Sequence, residues 1–237
     1  MKPSQPDLAA FIREQIEIYG DELALPARDL RLEAGAFSQE SEEPWRKCAS
    51  LQAFVAEIAA CDRCLLSKSR NKLVFGSGNE NAHIVLVGEA PGAREDQMGK
   101  PFVGDAGLLL DKILAAIQLQ REQVYICNVL KCRPPGNRDP LPAEISQCLP
   151  YLEHQLHLIK PAFILCLGRH AAQTLLHTQA ALSSLRGRVH DWQGIPLLVT
   201  YHPAALIRYP QFKRETWEDV QRLRQLYDQF LQNIQPS

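Results

Sequence analysis

No apolar stretch of this chain approaches the ~18 residues that a membrane-crossing helix needs, so a membrane span is excluded and no membrane partner is expected. An excess of one charge is missing too. Against 27 Asp+Glu stand 26 Lys+Arg, a formal net charge of −1, which argues against a wholly basic nucleic-acid coat but leaves room for a local basic groove. The 13 Gly and 16 Pro follow no period, so a collagen-like or low-complexity chain is excluded. The opening MKPSQPDLAAF has no apolar core, which predicts no secretory leader. What is present is ordinary for a globular protein. The 237 residues are 46% hydrophobic, enough for one domain of ~150–200 residues plus an appendage.

Seven cysteines, an odd count, together with the missing leader predict a reducing compartment, the cytoplasm. Cys127 in VYICNVL and Cys166 in FILCLG sit in apolar runs and read as core fillers. Cys48 has no obvious partner. The other four stand in loop-like or element-edge contexts: Cys61 and Cys64 in CDRC, Cys132 in KCRPPGN and Cys148 in SQCLP. A C-x2-C pair alone fits a redox dithiol, half a zinc site or chance. A redox dithiol follows a strand, whereas a helical pattern precedes this one. Four thiolates suit either zinc or an iron–sulfur cluster, and spacing does not choose between them.

Residues 6–19 carry Leu8, Phe11, Ile12 and Ile16 on one helical face, and the acidic, aperiodic stretch from Asp29 to Pro44 reads as a linker. This predicts an N-terminal extension, 1–44, and a compact domain, 45–237. Four short runs, Ile84–Val87, Val124–Val129, Phe163–Leu167 and Ile195–Thr200, are apolar on both faces, as parallel strands buried under helices must be. Helical patterns at 49–60, 106–117, 142–159 and 169–177 and at the C-terminus alternate with them. The fold class expected is α/β, a three-layer α/β/α sandwich with a central four-stranded parallel sheet. Ligands of such folds bind beyond the carboxyl ends of the strands.

The unusual residues stand at those ends. After the first strand comes Gly88-Glu89-Ala90-Pro91-Gly92, a preset turn that projects Glu89. Downstream, Phe102 lies in the Gly/Pro-rich GKPFVG, placed either to stack on a flat ligand or to anchor a loop. Asn128 breaks an apolar run near a strand end. Its amide suits a nucleobase edge or a purely structural partner. His202 heads HPAALIR, read as a loop whose Leu206 and Ile207 fit a wedge into DNA or ordinary packing. Basic residues cluster as Lys131, Arg133 and Arg138, as Arg186 and Arg188, and as Arg208, Lys213 and Arg214. All flank these loops, which favours phosphate contacts.

Taken together, GEAPG at 88–92, GKPFVG at 99–104, CNVLKCRPPGNR at 127–138 and HPAALIR at 202–208 make the chain resemble the family 4, iron–sulfur uracil-DNA glycosylases, over roughly residues 50–230. The resemblance implies a monofunctional enzyme of base excision repair. It would take uracil-containing DNA, single- or double-stranded, flip the base out, hydrolyse its N-glycosidic bond and leave an abasic site. It implies that Cys61, Cys64, Cys132 and Cys148 hold a [4Fe–4S] cluster. It implies that Phe102 stacks on uracil, that Asn128 reads its polar edge, and that Gly88, Glu89 and Ala90 line the pocket. His202 would face the uracil O2, Glu89 and Asn137 would serve cleavage, and Glu95 would guard the C5 side. One departure is visible: Ala204 replaces the serine usual in the second motif. A monomer is expected, acting in the cytoplasm on the nucleoid, and residues 1–44 suggest no partner by themselves. The alternatives are a non-catalytic DNA-binding or polymerase-accessory protein that retains the fold, and the branch that holds uracil-DNA covalently. The stretch Ala106–Val124 lacks the added basic loop of that branch.

Overall fold

The computed structural model describes residues 43–234. The amphipathic pattern at 6–19 and nearly all of the acidic stretch lie outside the described residues. Six strands form one sheet: β1 (Ser77–Gly78), β2 (Ile84–Gly88), β3 (Tyr125–Asn128), β4 (Phe163–Leu167), β5 (His190–Trp192) and β6 (Ile195–Thr200). Their order is β1-β3-β2-β4-β6-β5. The four apolar runs are the inner strands and all pair in parallel, as expected. The expected sheet of four is corrected to a mixed sheet of six, because β1 and β5 add antiparallel edges. The β5 edge is made by a two-residue hairpin. Gln193 (φ 51°) and Gly194 (φ 85°) both take the left-handed conformation that a type I′ turn requires.

Eight α-helices surround the sheet among the described residues: α1 (Leu51–Ile58), α2 (Ala93–Met98), α3 (Asp105–Ala116), α4 (Pro142–Ile159), α5 (Arg169–Leu175), α6 (Leu182–Leu185), α7 (Pro203–Arg208) and α8 (Lys213–Ile234). None is long and apolar enough to cross a membrane. Period-2 alternation splits the strands between two cores. Val85, Val87, Cys127, Ile164, Cys166 and Val199 pack with Phe54, Tyr151, Leu152 and Leu156 of α1 and α4. Ile84, Leu86, Ile126, Leu165 and Leu198 pack with Leu110 and Leu114 of α3 and with Val220 and Leu223 of α8. Cys127 and Cys166 are core fillers, fully buried.

β3 lies on one side of β2 and β4 on the other, so the chain reverses its direction of travel across the sheet after β3. This switch leaves a crevice at the carboxyl end of β2. In register there, Gly88 pairs with Asn128, and Leu167 with Thr200. HPAALIR, expected as a loop, is the helix α7. Pro203 takes its first turn, where no N–H is needed, and His202 is its cap.

Candidate active site and cysteine site

A cleft of about 570 Å3 opens over that crevice, and Glu89, Ala90, Phe102, Asn128, Asn137, Arg169, His170, Tyr201, His202 and Arg208 are among its lining residues. Gly88 lies behind its wall. A Cβ there would come within 2.4 Å of Asn128 Oδ1 and 2.7 Å of the Phe102 ring, so only glycine lets the amide and the ring meet at the strand tip.

Phe102 is 6% exposed and belongs to the core while also lining the cleft. It holds a left-handed backbone (φ 53°), which costs a non-glycine residue ~1–3 kcal/mol. Arg121 holds the turn. It donates to the Phe102 carbonyl at 2.8 Å and to the Pro101 carbonyl, and it pairs with Asp111. Glu95, expected beside the base, accepts from the Val103 and Gly104 amides at 2.9 Å each and so clamps the same loop from its other end.

Asn128 is 1% exposed, and its Oδ1 is buried without a hydrogen-bond partner among the described residues. Leaving an amide oxygen dry and unpaired costs ~1–3 kcal/mol, which favours a ligand donor at this spot over a structural amide. His202 faces Phe102, with ring centroids 5.4 Å apart. Its Nδ1 accepts from the Ala204 amide at 3.1 Å. That fixes the tautomer: the proton sits on Nε2, leaving an N–H donor. Burial, helped by Arg208 and opposed by Glu95, pushes the imidazolium down to about 4, so the ring is neutral at pH 7.

Glu89 stands on the opposite rim. Burial raises its pKa, His170 and Arg169 oppose the rise, and Asp139 adds to it. His170 lies 3.8 Å from Glu89 and 3.1 Å from Asp139, and Arg169 lies 3.3 Å from Asp139. Sequence reasoning missed His170 and Asp139. The first turn of α5 delivers His170 to the cleft. Asn137 is left-handed (φ 55°) and accepts from Arg133 Nε at 2.7 Å.

Two of the cations expected at phosphates, Lys131 and Arg186, turn inward, and a third, Arg138, is exposed at the cleft but paired. Lys131 is 1% exposed. Arg138 forms a two-pronged pair with Glu144. Arg186 binds Asp219 at 2.7 Å and lies over the Tyr201 ring. Leu206 is buried and packs inward, which leaves Ile207, half exposed, as the outward apolar residue of α7. Arg208, Arg169 and Arg138 are the arginines that line the cleft itself.

Cys61, Cys64, Cys132 and Cys148 line one small cavity beneath α4, with Arg70, Lys131 and Tyr151. Donors point at the sulfurs. Arg70 reaches Cys132 Sγ at 3.1 Å, the Lys131 amide reaches Cys148 Sγ at 3.3 Å and the Tyr151 hydroxyl reaches Cys61 Sγ at 3.4 Å. Burial pushes the Cys148 thiol up to about 12 and raises Cys132, so both stay protonated unless a cation replaces the proton. Tetrahedral zinc at ~2.3 Å per sulfur holds its ligands about 3.8 Å apart. Among the described residues, only Glu89, Asp139 and His170 form a set of three such ligand groups with all atoms within 4.8 Å. No three of the four sulfurs are that close, so the site is wider than one zinc ion and fits a polynuclear group.

The sequence model of the uracil DNA glycosylase superfamily matches residues 75–221. The type-4 uracil-DNA glycosylase of Archaeoglobus fulgidus is 46% identical over 185 residues, covering 75% of this chain and 93% of that protein. Those of Sulfurisphaera tokodaii and Saccharolobus solfataricus are 40% and 41% identical, covering 75% and 74% of this chain and 84% and 86% of theirs.

Proposed function

This chain belongs to the uracil DNA glycosylase superfamily, and we propose that it removes uracil from DNA as a type-4 enzyme of base excision repair. The observation that carries the reading is the pairing, in one cleft, of the partnerless Asn128 Oδ1 with a neutral His202 whose free proton is on Nε2. Uracil offers the complement: an N3–H donor beside an O2 acceptor. A flipped base would stack on Phe102, give its N3–H to Asn128 and accept from His202 at O2.

Cleavage breaks the bond from the sugar C1′ to uracil N1. The electron pair leaves with uracil, whose negative charge spreads to O2, where His202 donates. Positive charge grows on the sugar. As a carboxylate, Glu89 would favour that charge and take a proton from the water that adds to C1′. Asn137 completes this rim. The products are free uracil and an abasic site. Lys131 is engaged with its neighbours and buried, so it offers no amine for a lyase step.

Cys61, Cys64, Cys132 and Cys148 would hold a [4Fe–4S] cluster, which when bound ties α1, the loop after β3 and α4 together. A monomer is part of this reading. Seven free cysteines are in keeping with the cytoplasm. Residues 1–44 would form an extension dispensable for chemistry; among the described residues the first core side chain is Trp45, which is 5% exposed.

The test is release of uracil from a labelled oligonucleotide, single- and double-stranded, by protein assayed for iron. Expected are free uracil, an abasic site and about four irons per chain. Brown protein that binds uracil-DNA without releasing base would instead favour the non-catalytic reading.

A further inference from the structure

Lys131 is the one lysine among the fully buried large side chains, at 1% exposure. Its Nζ donates to the Asn128 carbonyl at 2.7 Å and to Gln155 Oε1. Both acceptors are neutral. Among the described residues no carboxylate lies within ion-pair distance of it. A buried ammonium with only neutral partners is strongly unfavourable. Lys131 is one of the residues that line the four-cysteine cavity, and its ammonium lies close enough to the Cys148 and Cys132 sulfurs to interact with them electrostatically. A cluster held by four thiolates is a net anion, and it would supply the missing counter-charge.

The same stretch of chain builds the base-reading wall. Asn128 ends β3, and Cys132 follows four residues later. Between them the Val129 and Leu130 amides donate to the carbonyls of Gly88 and Glu89, and the Lys131 amide donates to Cys148 Sγ. One residue thus touches the cysteine site through its backbone amide and grips, through its side chain, the peptide of the residue proposed to read the base.

We propose that Lys131 is a positioning residue that couples occupancy of the cysteine site to the placement of Asn128. The inference rests on the cluster-bearing glycosylase reading above. With the anion present, the ammonium is held between it and the Asn128 carbonyl, and the amide faces the cleft. With the anion absent, Lys131 has no reason to stay buried, and withdrawing it frees the Asn128 peptide.

The experiment compares iron-loaded wild type with Lys131→Met, which keeps length and removes charge and donors. The probe is a single-stranded oligonucleotide carrying one 2′-fluoro-2′-deoxyuridine, which resists cleavage, against a thymine control. We expect the variant to lose about tenfold or more of its preference for the uracil probe, with unchanged binding of the control. We also expect the cluster's reduction potential to move to more negative values. A neighbouring cation favours the reduced, more negative cluster, and a merely space-filling lysine would not move the potential. A folded, loaded variant with wild-type preference and potential overturns the proposal.

Should Lys131→Met fail to fold or load, wild type decides by amide hydrogen exchange before and after iron is stripped by oxidant and chelator. Protection lost at residues 128–131 while β2 and β4 stay protected supports the coupling. Protection unchanged, or lost across the whole sheet at once, overturns it. Wild type that purifies without iron removes the cluster reading itself, whereas loaded wild type beside an unaffected variant removes only the coupling.

Discussion

The cleft and the cysteine cavity lie at two ends of one short stretch of chain, and they handle polar atoms in opposite ways. In the cleft, Asn128 Oδ1 is left without a partner, and His202 spends Nδ1 on the Ala204 amide so that Nε2–H stays free. Around the cysteines, Arg70, Tyr151 and the Lys131 amide already aim donors at three of the four sulfurs. A site that binds and releases its ligand must keep groups unsatisfied between turnovers. A site that keeps its ligand can be built around it. On the proposed reading, the difference separates a substrate pocket from a site for a resident group.

The largest expected effect falls on the cavity. Cys148→Ala removes a sulfur that is 8% exposed and packed in the core. Metal binding and folding are one equilibrium at such sites, and losing a ligand forfeits several kcal/mol of it. The expected result is iron-free, largely insoluble or heat-labile protein, measured by iron content and thermal unfolding. Wild-type melting without iron would show the cavity to be ordinary core and collapse the contrast.

Next comes the chemistry of the cleft. His202→Ala should lower the single-turnover rate of uracil release by ~10²–10³-fold, the scale of one oxyanion donor, with DNA affinity little changed. Glu89→Gln keeps shape and loses charge, and should also slow release without weakening binding. Equal losses in affinity and rate for His202→Ala would make it a ground-state contact.

What could be read from residues alone follows the same division. The inner strands were legible because a parallel strand buried on both faces must be apolar throughout, and Ile84–Val87 and Phe163–Leu167 are. The edges were not. Ser77–Gly78 and His190–Trp192 carry no pattern, and they become strands only through pairing with β3 and β6. α7 was hidden by its brevity and its proline. The cleft residues on strand tips were legible because Asn128 and His202 interrupt apolar runs. His170 and Asp139 were not, because they meet only when α5 and the loop after β3 are brought together. Nor did local charge reveal that Lys131 and Arg186 face inward or that Arg138 is paired, since their partners Gln155, Asp219 and Glu144 lie from 6 to 33 positions away.

A smaller effect distinguishes reading from cleaving within the cleft. Asn128→Ala removes the acceptor for N3–H and leaves a donor of the bound base unpaired, at a cost of about 1–3 kcal/mol. The loss should appear equally in affinity for a non-cleavable uracil probe and in kcat/KM, with the thymine control unchanged. A variant that binds normally but cleaves slowly would move Asn128 into the same class as His202.

The smallest effect is a dependence of stability on pH that belongs to the cleft alone. His202 has its pKa depressed by burial from 6.5 to about 4. Between those values the unfolded chain takes up a proton that the folded chain refuses, so acid favours unfolding. The contribution to stability is therefore whole above pH 6.5 and is lost as pH falls toward 4. Between pH 7.5 and pH 5 it amounts to roughly 1–2 kcal/mol, discounted because the ring edge opens to the cleft. His202→Asn has no such titration, and its amide side chain can still cap α7. Urea unfolding of the two iron-loaded chains at both pH values isolates the term, since every other histidine is common to them. The wild type should lose more stability on acidification than the variant. Equal losses would mean that His202 titrates normally and is not held neutral, and the cleft would then forfeit the preset N–H donor on which its contrast with the cysteine site rests.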